Sequence, residues 1–313
     1  MYFIESNSKN AFFNIAMEEY FVKQKNEDYI ISYINNPSVI IGKHQNAYSE
    51  VNIKFVNALK IPVLRRISGG GSVYHDSGNL NFCFIQNNFD AQKVNFAEKS
   101  SPIVDFFKTI NLNAELGSKN ELRVNGYKVS GSAEHVYKNR VLHHGTLLFN
   151  SNLDILDKSL QGSNQNYTDK SIPSNKTNVI NINTLLSENK TIEQFTDEFN
   201  SFILNYFNAT KYCLTEVDEN EINRLVDEKF NTWEWNYGYS PNYKYMGDVN
   251  TVFGLKTIEL EVEKGIIKLI KCQNDKELSD ELSLFFIGKQ HRFDLLFDEV
   301  ADENLLSLYY QLF

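Results

Sequence analysis

Apolar residues recur along this chain with two periods, and the switches between them mark its elements. Phe12, Ile15, Ala16 and Tyr20 fall on one stripe of a helical period behind Asn10, a good cap, so residues 10–24 are expected to be helical. YIISYI (29–34) and SVIIG (38–42) are nearly continuous apolar runs split by Asn35-Asn36-Pro37, which reads as two strands about a turn. A helix is expected over 50–60. IPVLRRI (61–67) reads as a strand, and NLNFCFI (79–85) as its antiparallel return. A helix over 95–110, with Pro102 near its start, precedes a strand meander over 121–150 whose turns are Asn125-Gly126 and Lys138-Asn139. Residues 161–178 are polar and without period, so an exposed, mobile loop is expected. Phe195, Phe199, Phe202, Ile203 and Tyr206 then share one face of a helix over 191–209, and a further helix is expected over 218–231.

The pattern changes near 240–248. Beyond it, TIELEVEKGIIKLIKC (257–272) is a hairpin about Lys264-Gly265, followed by helical segments. This divides the chain into a main domain, 1–246, and a small C-terminal domain, 247–313. Ile258, Leu260, Leu282 and Phe286 are expected to form a separate small core in the latter.

Composition narrows the class. A chain of 313 residues with 42% hydrophobic and 23% charged residues has ample material for such a core. A net charge of -9 disfavours nucleic acid as a partner. No apolar run reaches 18 residues, so no membrane span is expected, and the N-terminus lacks the pattern of a secretory signal. Cys83, Cys213 and Cys272 are widely spaced and fit neither a disulfide framework nor a zinc site; a reduced, cytoplasmic protein is expected.

Chemistry concentrates in two segments. RRISGGGSVYHDSGNLNF (65–82) sets three consecutive glycines beside two arginines, a concavity of N–H donors suited to an anion. It is neither a Walker loop nor a dinucleotide fingerprint, because Tyr74 stands where the last glycine of the latter belongs. GYKVSGSAEHVYKNRVLHHGTLLF (126–149) carries a lysine, K-x-S-G-x-A, and then H-H-G-T-L-L. Together these resemble the lipoate–protein ligase A family. NIAMEE (14–19), VIIGKHQNAYSEVN (39–52) and TWEWNYG (232–238) are similar to further family segments, in family order across about three quarters of the chain.

The resemblance implies the fold of the biotin/lipoate ligases: a mixed, largely antiparallel sheet with flanking helices, an α/β (α+β) class, here with a small C-terminal α+β domain. It also implies an ATP-dependent lipoate–protein ligase. Lipoate or octanoate is activated to an acyl-adenylate with release of pyrophosphate. The acyl group then passes to a lysine of a lipoyl-acceptor domain, on a 2-oxo-acid dehydrogenase subunit or the glycine-cleavage H protein. ATP, with Mg²⁺ accompanying its phosphates, and lipoate are the implied small molecules. Such chemistry needs fixed cations and N–H donors where charge develops. Lys128 is the implied catalytic cation.

For ATP and adenylate the resemblance implies Arg66, Ser68, Gly70, Gly71, Ser72, Val73, Tyr74, Asn79, Asn120, Glu121, Ser130, Ala133 and Thr146. For the lipoyl group it implies Ile15, Met17, Gly71, Val73, His75, Lys128 and His144. Glu121 stands where the family has aspartate and is a candidate metal ligand. Arg65 and Arg66 fit either an anion cradle or structural ion pairs. Two other functions stay open. An ATP-independent transferase would need a reactive cysteine thioester, and a non-catalytic lipoate or nucleotide binder would need no catalytic group.

Overall fold

The computed structural model describes residues 1–87, 96–118, 120–174, 177–251, 254–294 and 303–313. Its strands are β1 Tyr2–Glu5, β2 Tyr29–Ile34, β3 Ser38–Ile41, β4 Val63–Arg65, β5 Val73–His75, β6 Asn79–Asn87, β7 Ala114–Leu116, β8 Glu121–Val124, β9 Tyr127–Tyr137 and β10 Arg140–Leu148. Further along are β11 Tyr167–Asp169, β12 Thr210–Lys211, β13 Tyr243–Thr251, β14 Gly254–Glu263 and β15 Ile266–Cys272. The helices are α1 Ala11–Gln24, α2 Ala47–Glu50, α3 Ile53–Ala58, α4 Phe96–Thr109, α5 Leu153–Ser159, α6 Ile192–Tyr206, α7 Glu216–Leu225, α8 Lys276–Phe286 and α9 Glu303–Tyr310.

Local chemistry accounts for the helix starts. Asn10 accepts from the Phe12 amide, and Thr191 forms a capping box with Gln194. The helix expected over 50–60 is two short pieces, each begun by its own asparagine cap, Asn46 and Asn52. Pro102 lies inside α4, beyond its first turn, and residue 95 lies outside the described residues.

Among the described residues the strands form three sheets. The largest runs β12-β1-β2-β6-β10-β9-β8-β7, antiparallel from β2 onward and parallel at β12-β1-β2. One of its faces packs on α1 and α7 through Ile15, Tyr20, Phe21, Ile31 and Ile222. The other packs on α4 and α6 through Phe82, Phe106, Phe195 and Phe199. The mixed, largely antiparallel sheet with flanking helices is therefore as expected.

One expectation about strand partners and one about the core are corrected. β6 is not the return of β4. β6 pairs with β2 and β10, while β4 lies parallel to β3 in a separate three-stranded sheet, β4-β3-β5. The glycine loop feeds β5, which takes the antiparallel place beside β3. The C-terminal segment also has no separate core. Ile258, Leu260, Leu282 and Phe286 belong to one cluster with Val39, Ile41, Tyr48, Val51 and Val63 of the small sheet and its helices. A division at 246/247 falls inside β13, whose sheet partner β11 comes from residues 167–169.

The loop over 161–178 is also more anchored than its polarity suggests. Ser174 Oγ donates to Glu50 and accepts from the Ser72 amide at 2.8 Å and from Gln45 Nε2 at 3.0 Å.

Candidate active site

Between the α1 face of the large sheet and the small sheet lies a cavity of about 430 Å³, within the range of small-molecule sites. The glycine loop, β9, β10 and Ile172, Pro173, Ser174 and Thr177 wall it.

The two arginines before the loop divide the work. Arg65 is fully buried and meets no carboxylate among the described residues. Its guanidinium donates to the carbonyls of Gly42, Lys43, Gln45, Trp235 and Asn236. Trp235 and Asn236 answer it: Trp235 Nε1 donates to the Arg65 carbonyl at 2.7 Å, and Asn236 Oδ1 accepts from the Arg65 amide at 2.8 Å. The tryptophan motif thus clamps the strand that launches the loop. Burial pushes the Arg65 guanidinium down to about 9.

Arg66 lines the cavity but spends its donors on the protein. Nε reaches Ser68 Oγ at 2.9 Å, Nη1 the Ile40 carbonyl at 3.1 Å, and Nη2 the carbonyls of Gly69 and Gly71 at 2.6 and 2.8 Å. It shapes the cradle. Gly70 turns with φ +85°, a conformation glycine adopts without cost, and Gly42 leaves room for the Gly70 carbonyl, which a Cβ there would meet at 2.0 Å.

Lys128 stands on β9 at the other side. Burial lowers its ammonium below the ordinary lysine value, with Glu121 opposing that shift and Arg123 and Arg66 adding to it. The ammonium lies over Gly131, where a Cβ would come within 3.1 Å of Nζ, so the glycine of K-x-S-G is the space the lysine occupies. A register shift between β8 and β9 pairs Arg123 with Lys128 and Leu122 with Ser130. The extra residue reverses the face on which side chains fall. Gly131 joins Lys128 on the cavity wall, and Ser130 is buried away from it.

His144 is the centre of a buried chain. Its Nδ1 lies 2.6 Å from Glu18 Oε2, its Nε2 lies 2.7 Å from Ser68 Oγ, and Tyr33 donates to the other Glu18 oxygen at 2.9 Å. Because arginine only donates, Ser68 Oγ accepts from Arg66 Nε, which ties His144 to the arginine through one hydroxyl.

Of the residues singled out in the sequence, Ile15, Arg66, Gly70, Gly71, Ser72, Val73, His75, Asn120, Glu121, Lys128, Ala133, His144 and Thr146 line this one cavity. Five do not. Met17 is fully buried in the core under α1, one helical step off the cavity-facing Ile15. Tyr74 points the opposite way from Val73 and His75, as strand alternation requires, into the C-terminal cluster. Asn79 lies behind Asn81, to which it donates at 3.0 Å. Ser68 acts through Arg66 and His144, and Ser130 is turned away by the bulge.

Sequence reasoning missed Glu18, Tyr33, Gln45, Asn81 and Glu134. Glu18 carried a signal: a carboxylate three residues after Ile15 and four before Val22, on the apolar stripe of α1. No group of three or more His, Cys, Asp or Glu side chains gathers to hold a metal among the described residues. Cys83 is buried, and burial with Glu18 nearby pushes its thiol up; Cys213 is exposed and Cys272 buried, and none lines the cavity. No helix among the described residues is long and apolar enough to cross a membrane.

A half-buried lysine and a glycine-rich loop on the wall of one cavity suit a substrate that carries negative charge. Comparison with known proteins gives the family. Residues 10–203 match the lipoyl protein ligase A/B catalytic domain. Lipoate–protein ligase 1 of Staphylococcus aureus is 36% identical over 97% of this chain and 95% of its own length. The crystal structure of Plasmodium falciparum LipL1 in complex with lipoate superposes with TM-score 0.65 at 27% identity, covering 99% of this chain and 98% of that one. A bipartite lipoate–protein ligase of Thermoplasma acidophilum, described with its E2 lipoyl domain, shares the fold with TM-score 0.65 at 23% identity over 76% of this chain and 96% of its own. The chain belongs to the lipoyl protein ligase A/B family.

Proposed function

We propose that this protein is an ATP-dependent lipoate–protein ligase that forms lipoyl-adenylate and transfers the acyl group to a lysine of a lipoyl-acceptor domain within one cavity. The observation that carries this reading is Lys128. Among the described residues it is the lysine of the cavity wall, beside Thr146 and Asn120 and across from the glycine loop.

In the first step a lipoate carboxylate oxygen attacks the α-phosphorus of ATP. An acyl–O–P bond forms and the bond to pyrophosphate breaks. The Lys128 ammonium stabilises the non-bridging oxygens, and the glycine loop supplies N–H donors. In the second step the acceptor amine attacks the acyl carbonyl, AMP leaves, and the same ammonium polarises that carbonyl. Mg²⁺ would enter with the ATP phosphates and offset their charge, with Glu121 on the cavity wall as its proposed carboxylate ligand. Lipoyl domains of 2-oxo-acid dehydrogenases and the glycine-cleavage H protein are the proposed acceptors, and the cytoplasm is the proposed site of action. The segment from β13 onward is proposed as an accessory unit that buttresses the small sheet. Among the described residues, none beyond Thr177 lines the cavity.

The test is to supply ATP, Mg²⁺ and lipoate and measure pyrophosphate, then add a lipoyl domain and weigh it. The expected result is pyrophosphate release without acceptor, followed by a lipoyl mass increase on one lysine. Transfer that proceeds without ATP and fails when one cysteine is replaced would instead establish the thioester route, which lacks a cysteine at the cavity.

A further inference from the structure

The cavity wall also holds a histidine, His75, whose protonation is fixed by its neighbours. Asn14 Nδ2 donates to the Ser8 carbonyl at 2.8 Å, and a carbonyl can only accept. That orients the Asn14 amide. Its Nδ2 also faces Asn35 Oδ1 at 2.8 Å, which orients Asn35 in turn. Asn35 Nδ2 then faces His75 Nδ1 at 3.0 Å, so Nδ1 must accept and the ring proton sits on Nε2. Burial holds His75 near pKa 3, with Arg66 and His144 adding to the effect, so the ring is neutral.

Two further facts give this tautomer meaning. His75 Nε2 is buried and has no hydrogen-bond partner among the described residues. The ring lines the cavity, while Asn14 and Asn35 are wholly buried behind it. Its polar neighbours on that wall are already committed: Tyr33 donates to Glu18, and Asn81 donates to the Tyr33 carbonyl and accepts from Asn79. The sheet order sets the breadth of the cavity wall. Tyr33 on β2 and Lys128 on β9 are three strands apart, about 14 Å at ~4.8 Å per strand. The wall between them is on the scale of an extended eight-carbon acyl chain.

We infer that His75 Nε2–H is a specificity determinant that donates to a sulfur of the dithiolane ring, so that the site selects lipoate over an acyl chain of the same length or shape lacking sulfur. This rests on the proposed ligase reading. A disulfide sulfur is a weak acceptor, but a plain hydrocarbon offers none. A buried donor left unpaired is costly, and that asymmetry discriminates between tails.

The experiment measures pyrophosphate release by the full chain with lipoate, octanoate and 5-cyclopentylpentanoate, the last a sulfur-free ring of similar shape. Wild-type kcat/KM is expected to favour lipoate over both by about tenfold. His75→Leu should bring the lipoate-to-cyclopentyl ratio close to one. His75→Gln, which can place an amide N–H near the same position, should restore the preference. Equal wild-type use of lipoate and the cyclopentyl acid would overturn the inference without any variant, as would an undiminished ratio in folded His75→Leu. Absence of pyrophosphate with every acid would instead count against the ligase reading itself.

Discussion

Two buried histidines show how far the same local chemistry diverges with its surroundings. His75 and His291 are both held near pKa 3 by burial, and both carry an Nε2 without a partner. His75 borders a cavity, with a hydrogen-bonded asparagine relay behind it. His291 is sealed in an aromatic seam. Its ring stacks on Phe313 at 4.4 Å, its Nδ1 meets the Tyr243 hydroxyl, and its carbonyl accepts from Tyr48. The first region keeps space for a ligand. The second joins the C-terminal segment to the small sheet and leaves none. A depressed histidine pKa therefore identifies burial, and only the adjoining space turns burial into a site.

The largest expected effect comes from removing the seam. A chain ending at residue 242 strips the cover from Val39, Ile41, Tyr48, Val51 and Val56. It is expected to lose cooperative unfolding and to bind apolar dyes. A soluble fragment with a sharp melt would show the two regions to be separable after all.

Lys128→Ala tests the other region. Pyrophosphate release and transfer should each fall by at least roughly 10²–10³-fold. The thermal midpoint should hold or rise, because burial disfavours the lysine charge that is removed. Near-normal turnover would reassign the catalytic cation.

His291→Ala should do the reverse. A stability loss of about 2–4 kcal/mol in urea is expected from the cavity and broken stack, with acyl transfer per folded molecule largely kept.

Acid sharpens the likeness between the histidines. Their folded pKa values lie below the unfolded value of about 6.5. The unfolded chain therefore binds protons first, and stability should decline as pH falls from about 6.5 toward about 3. Urea midpoints at pH 7 and pH 5 measure the slope, and His291→Phe should reduce it. A midpoint unchanged between those pH values would contradict the burial argument.

The smallest effect is expected from replacing all three cysteines with serine. Activity should persist, and the cost in stability should come from the buried Cys83 and Cys272, where a hydroxyl needs a partner. Loss of all transfer in a folded single variant would favour a thioester.

Much of this architecture is written in local patterns. Asn10 and Thr191 start their helices, the apolar runs at 29–34 and 79–85 are strands, and Asn125-Gly126 and Lys138-Asn139 turn the meander. Each depends on neighbours in sequence, so period and cap suffice. The motifs likewise marked Lys128, the glycine loop and His144, because close backbone approach demands glycine and phosphate chemistry demands a cation. Partnership across the fold was not legible. Whether β4 pairs with β6 or β3, whether Met17 or Glu18 approaches the cavity, and whether Arg65 meets a carboxylate or a ring of carbonyls depend on elements up to about 170 residues away. A bulge between β8 and β9 reverses the facing of Ser130 and Gly131 without a sequence mark of its own. The sequence by itself determined the elements and the chemical groups. Tertiary structure alone decided which groups share a buried space, because packing and hydrogen bonding between distant segments select one arrangement among many that local preferences allow.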